Sequence, residues 1–225
     1  MNTRQRATYH HGNLRQAIID AAVELVRDEG VEAMTLREAA RRAGVSSGAP
    51  FRHFATKREL VLALAEQGMA QLRSAIEAVL DSSINRSAPA RLALLGSAYV
   101  GWAADHPTHY RVLGDRLLID FYQSEALLAD NRWIRETMEQ LLAEGQAAEL
   151  IRPVDQRQIN LQLRALAYGL ARMMVDGHFA EFAVAPDHVR QTMIAALDSF
   201  LVVLATDPAA LRSEIETARI ATTGA

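Results

Sequence analysis

The sequence predicts an all-α protein, a three-helix head followed by a larger helical body. Three observations predict it. From residue 13 to past residue 200 the apolar side chains return every three or four positions, and no strand-like alternation or repeat interrupts them. The helical stretches are cut by Gly, Pro and short polar runs, with Ser, Thr, Asn or Asp at their starts. Half of the 225 residues are apolar, which is enough for a sizeable core.

The elements follow in order. Residues 1–12 lack apolar periodicity, and Arg4 and Arg6 make them a short basic arm that would settle on phosphates or a minor groove. A first helix is expected over 13–29, with Asn13 and Gln16 as a capping pair, Leu14, Ile18, Ala21, Ala22, Leu25 and Val26 inward, and Gly30 as the stop. Residues 35–57, TLREAARRAGVSSGAPFRHFATK, read as two short helices joined by a tight turn. Thr35 caps the first and Glu38 completes a capping box. Gly44 sits where a helix end needs a left-handed residue, and Val45 turns inward. Pro50 has no N–H and fits only a first turn, so Ser47 is the expected cap of a second helix ending near Phe54.

A Gly-containing three-residue turn between two such short helices is the pattern of a DNA-binding helix-turn-helix. Ordinary helical enzymes also contain such turns. What favours DNA is the exposed set Ser47, Gly48, Ala49, Arg52 and His53, ringed by Arg37, Arg41, Arg42, Lys57 and Arg58. Small residues let a helix approach a groove closely, and the ring is of one sign.

A long helix is expected over 56–80, opened by Thr56 and Glu59, with Leu60, Leu64, Leu72, Ile76 and Leu80 inward; Gly68 reads as a bend or a packing site. Further helices are expected over 89–105, 107–113, 125–149, 155–177 and 187–205, with a short last one over 208–219; residues 115–122 are ambiguous. The helix over 187–205 carries Leu197, Phe200, Leu201, Val203 and Leu204 on more than one face. Such a helix buries two sides. It is either a central helix of the chain's own core or, with the helix over 155–177, the expected seam of a homodimer, two helices per chain making a four-helix bundle.

Charge is unevenly placed. The whole chain is −3, but residues 1–60 hold 10 basic and 7 acidic residues, and the remainder 14 and 20. A basic head on an acidic body fits a DNA-binding regulator. Lys57 is the one lysine, and there is no cysteine, which excludes disulfides and thiol chemistry. No apolar run reaches membrane-spanning length and no signal peptide opens the chain, so a cytoplasmic protein is expected.

From about Tyr9 to Leu64 the chain resembles the tetracycline-repressor (TetR) family of bacterial transcription regulators. The segments that carry the likeness are YHHGNLRQAIIDAAVELVRDEG and TLREAARRAGVSSGAPFRHFATKREL. The resemblance implies a DNA-binding domain over 1–58 and a ligand-binding and dimerisation domain over 59–225. It implies that Thr35, Ser46, His53 and Lys57 hold phosphates, and that Ser47, Gly48, Ala49 and Arg52 lie near base edges; Arg37, from the basic ring, joins them as a candidate DNA contact. Phe51 stands where many members carry a tyrosine; it lacks the hydroxyl and is left a packing contact. The segment RALAYGLARMMVDG is similar to a subgroup with a Trp-x₃-His-Gly signature, with Arg164 in place of the Trp, Tyr168 in place of the His, and Gly169 agreeing.

No HExxH, Gly-rich phosphate loop or Gly-x-Ser-x-Gly elbow is present, and no cofactor or metal is expected. Asp105, His106 and His109, and Asp176, His178 and Glu181, are the nearest things to metal clusters, and read as helix-end groups. Trp102, Tyr110, Met138 and Tyr168 belong to an aromatic and Met-rich set that serves equally as core or as the wall of an apolar ligand site. His106 and Arg172 are its candidate polar groups, and Arg172 also has Asp176 one turn on. The expected function is a homodimeric repressor on a palindromic operator, released by a largely apolar small molecule. An architectural DNA-binding protein without ligand, and more remotely a helical enzyme, are the alternatives.

Overall fold

The structure, a computed structural model, describes residues 14–223, with side chains to residue 220. The basic arm with Arg4 and Arg6, the Asn13 cap and the last two residues lie outside that range. The head comprises α1 (Leu14–Glu29), α2 (Leu36–Arg42), a short 3₁₀ turn (Pro50–Arg52) and the start of α3 (Lys57–Ser82). The body adds α4 (Ala88–Asp105), α5 (Pro107–Gly114), α6 (Glu125–Ala147), α7 (Gln156–Val175), α8 (Val189–Leu204) and α9 (Pro208–Thr223). The last helix runs past the expected stop at residue 219. Among the described residues no helix is long and apolar enough to cross a membrane.

The caps explain the boundaries. Thr35 Oγ1 accepts from the Glu38 N–H, but the Glu38 carboxylate turns to Arg41 rather than closing the expected box. At α3 both halves form: Thr56 Oγ1 accepts from the Glu59 N–H, and the Glu59 carboxylate accepts from the Ala55 N–H at 2.8 Å. Gly44, at φ +69, ends α2 with Val45 N–H on the Ala40 carbonyl and Gly44 N–H on that of Arg41, a Schellman closure.

The expected helix over 47–54 is corrected. Ala49 N–H reaches Ser46 O, Arg52 N–H reaches Ala49 O and His53 N–H reaches Pro50 O, all three-residue spans, and Pro50 is the first 3₁₀ position, not the third of an α-helix. Pro50 has no N–H to extend a four-residue ladder back to Ser46, and Gly48 raises the entropic cost of fixing the turn.

α4 lies at the centre, packed against α3, α5, α6, α7, α8 and α9. The four consecutive residues Leu92 to Leu95 are all buried, so the helix is enclosed on every side over one turn. One core runs from Ile18 and Leu25 of α1, through Leu60 and Leu64 of α3, to Leu142 of α6 and Ile215 of α9.

α3 passes through Gly68 without a break. Gly68 is a packing site: a Cβ there would lie 2.9 Å from the His109 Cβ of α5. His109 Nε2 lies 3.1 Å from Gln67 Oε1 beside it. An alanine at residue 68 would force the helices apart, because the obstructing atom is next to the α5 backbone. Overpacking costs about 1–3 kcal/mol, against about 1 kcal/mol gained from alanine's helix propensity. Gly68→Ala is expected to lower stability, by up to about 2 kcal/mol in chemical denaturation, unlike an ordinary helical Gly→Ala change, which raises it.

Candidate DNA-reading face and ligand cavity

The exposed face of the head is built on short elements pinned from behind. Arg42 at the end of α2 reaches Asp28 at 2.7 Å and Glu29 at 3.0 Å, tying α2 to the end of α1. Arg15 of α1 stacks over the buried Phe54 ring at 5.3 Å. The half-buried Lys57 donates from Nζ to the Glu32 carbonyl at 3.1 Å, tying the start of α3 to the loop before α2. The turn between them presents Ser46, Ser47, Gly48, Phe51, Arg52 and His53 to solvent, with Ala49 partly covered. Thr35 and Arg37 are exposed on the neighbouring helix. Phe51 is 52% exposed, an apolar ring largely open to solvent.

The basic ring is less uniform than its sequence. Arg41 pairs with Glu38, Arg42 with Asp28 and Glu29, and Arg58 with Asp120 at 3.2 Å. Among the described residues Arg37 and Arg52 form no such pair, so their charge is free to act outward.

In the body a cavity of about 380 Å³ lies among α3 to α8. Four of the aromatic and Met residues singled out above, Trp102, Tyr110, Met138 and Tyr168, converge on it. Met69 and Leu72 of α3, Leu92 and Leu95 of α4, and Leu197 and Leu201 of α8 complete the apolar wall. The Tyr110 hydroxyl donates to the Tyr168 carbonyl at 2.9 Å.

Neither expected polar group lines it. His106 sits at the α4–α5 junction, its ring 6.1 Å from that of Trp102 and 5.9 Å from that of His109. Arg172 is held by Asp176 at 2.5 Å, the local pairing its spacing allowed. The polar groups that do line the cavity are Arg164, Asn131, Arg116 and Tyr99. Arg164 was legible in one respect: no acidic residue stands three or four positions to either side of it, so no local pair was available. The two acid–histidine groups dissolve into pairs, Asp105 with Arg190, Asp176 with Arg172 and His178 with Glu181.

α7 and α8 both bury one face and expose apolar residues on another. α7 turns Ile159, Leu163 and Ala171 inward and leaves Leu161 and Tyr168 exposed. α8 turns Met193, Leu197 and Leu201 inward and leaves Val203 exposed. Leu201 is only 3% exposed within the single chain and belongs to its core, which corrects its place in the expected seam.

Comparison with known proteins follows the same division. The family described as bacterial regulatory proteins, tetR family, matches residues 18–64, and the tetracyclin repressor-like C-terminal domain matches residues 92–197. The HTH-type transcriptional regulator BetI of Cronobacter sakazakii is 29% identical over 163 residues, 72% of this chain and 76% of its own. The nicotine-responsive transcriptional repressor HdnoR of Paenarthrobacter nicotinovorans is 41% identical over 69 residues, 31% of this chain and 36% of its own. A solved structure of a protein of unknown function from Rhodococcus sp. RHA1 is 31% identical, with a TM-score of 0.72, covering 89% of this chain and 100% of that one. A tetR-family regulatory protein from Rhodococcus RHA1 shares the fold, at 24% identity and a TM-score of 0.67, over 84% of this chain and 95% of its own.

A helix-turn-helix head joined to a cavity-bearing helical body defines a DNA-binding transcriptional regulator. The chain belongs to the TetR family, whose members bind operator DNA as dimers and take small-molecule effectors.

Proposed function

We propose that this chain is a cytoplasmic homodimeric repressor that holds a palindromic operator and releases it when a small molecule enters the body cavity. The observation that carries this reading is α3. It begins at Lys57 behind the exposed turn and carries Met69 and Leu72 into the cavity wall. The head is residues 1–58 and the body residues 59–225, and α3 is the element they share. The cavity residues Trp102, Tyr110, Met138 and Tyr168 form the effector's apolar surround.

In this reading Ser47, Gly48, Ala49 and Arg52 face base edges, while Thr35, Arg37, Ser46, His53 and Lys57 face the backbone and the Phe51 ring packs on sugar or a thymine methyl. Lys57→Ala should weaken all DNA sequences alike and flatten the log–log salt slope by roughly 0.9. Arg52→Ala should instead relax preference at one base pair, by roughly 1–3 kcal/mol, if it meets a guanine. Equal loss on every operator variant would remove Arg52 from base reading.

The seam is assigned to the outer faces of α7 and α8. Val203 is the residue to change, because its 67% exposure lets the single chain accept a charge that a dry seam would not. Val203→Glu should give folded monomers with poor operator affinity. A variant that sediments as a dimer at low micromolar concentration would place the seam elsewhere.

Release requires that the effector prefer one spacing of the two heads over another. Operator DNA must then weaken effector binding by the same factor that effector weakens operator binding, typically a coupling of about 1–3 kcal/mol. Titrating each cavity ligand with and without operator, and operator with and without that ligand, should give the same factor of weakening. If every ligand binds equally well in both cases, the cavity does not control DNA.

A further inference from the structure

Among the described residues the cavity wall contains two guanidinium groups, Arg164 and Arg116, and no Asp, Glu, Lys or His. Arg116 is exposed and lies over the Phe121 ring at 3.6 Å. Arg164 is the inward cation. Its side-chain partner is a neutral amide, with Nη2 donating to Asn131 Oδ1 at 2.6 Å. No carboxylate pairs with it among the described residues. Glu139, the acid whose charge reaches it, is bonded to Arg135 at 3.1 Å, and Arg135 and Arg116 add like charge around Arg164. Burial, its largest cause, holds the Arg164 pKa below the ordinary arginine value, as for a cation without a counter-charge.

A second group carries the same demand. Trp102 lines the cavity and is 4% exposed, and its Nε1–H has no acceptor among the described residues. A buried donor without an acceptor and a half-buried charge without a counter-charge are both unfavourable until something supplies the missing oxygen. Tyr99 and Tyr110 do not supply a charge. Burial raises both hydroxyls, Tyr99 to about 12, so both stay neutral. The remaining wall is apolar, with Met69, Leu72, Leu95 and Met138 on its α3, α4 and α6 sides.

We propose that the effector is a compact organic monocarboxylate: its carboxylate sits on the Arg164 guanidinium, and its apolar body lies between α3 and α6. One inward cation matches one charge. The volume of about 380 Å³ is at the small end of ligand sites, roughly 300–1,000 Å³, which excludes a large phosphorylated carrier. A guanidinium binds a carboxylate through two parallel hydrogen bonds, and Asn131 leaves donors of Arg164 for that purpose. The inference rests on the cavity being the effector site.

The test uses the full-length protein without DNA and matched probes: decanoate and 4-phenylbutyrate, with the corresponding primary alcohols and amines, titrated by calorimetry. The acids should bind about tenfold or more tightly than the alcohols, and the amines should not bind. Arg164→Met should weaken the acids by about tenfold or more and leave the alcohols within a few-fold. Arg172→Met, off the cavity, should behave as wild type. Alcohols binding as tightly as acids in the wild type, no binding by any acid, or an acid preference kept in Arg164→Met would overturn the assignment. If the Arg164 variant does not fold, the wild-type series decides alone. Acids that bind without weakening operator affinity uphold the ligand class and sink the release reading. Neutral amphipaths that release operator while acids do not bind do the reverse.

Discussion

The head cannot bury its own core. α2 is a single short helix, and the apolar residues turned inward by α1, the loop after it and α2, Ile18, Leu25, Met34 and Ala39, share one core with Leu60, Val61 and Leu64 of α3. A domain this small is marginal by itself. The same helix continues into the body, where Met69, Leu72, Ile76 and Leu80 join the larger core without interruption. Head and body therefore share a structural member, and any displacement of α3 in the body moves the floor of the head.

α5 strengthens that constraint. It touches α1 and α3 on one side and lines the cavity with Tyr110 and Leu113 on the other. The Gly68–His109 approach allows the two helices to lie close, and the neighbouring Ser124–Glu66 and Arg58–Asp120 contacts tie the segment after α5 to α3. His109 is held below the usual histidine range, first by burial and then by the His106 ring, so it packs as a neutral imidazole. Its contribution to stability is present above the unfolded value of about 6.5 and is lost as pH falls through the lower folded value. The joint between cavity and head thus loosens on acidification, not on alkalinisation.

Much of this was legible in the sequence, because helical periodicity and capping are local. Thr35, Gly44, Thr56 and Asp155 mark helix ends by chemistry that needs no tertiary partner. What periodicity cannot supply is the identity of the neighbour across the helix. Leu201 and Val203 are both apolar residues of α8, yet one fills the chain's own core and the other faces outward. Arg172 and Arg164 lie two turns apart on α7; the first is taken by Asp176, and the second has only Asn160 and Tyr168 four positions away. The short form of the DNA-facing turn was readable in principle from Gly48 and Pro50, since both residues oppose a continued ladder.

The position of the charge in the cavity constrains how it could act at a distance. From Lys57 to Leu72 is fifteen helical steps, roughly 22 Å along α3. Phosphates on the head's surface would lie in solvent, where the Debye length is about 8 Å at physiological ionic strength. Repulsion between an anion in the body and DNA on the head is therefore largely screened, although the body already carries the acidic excess of the chain. An anionic ligand would have to act through packing: neutralising Arg164 on α7 changes how α6 and α7 close over the cavity, and Met69 and Leu72 present that change to α3. Coupling by this route should vary little with salt, even though DNA affinity itself falls steeply with it.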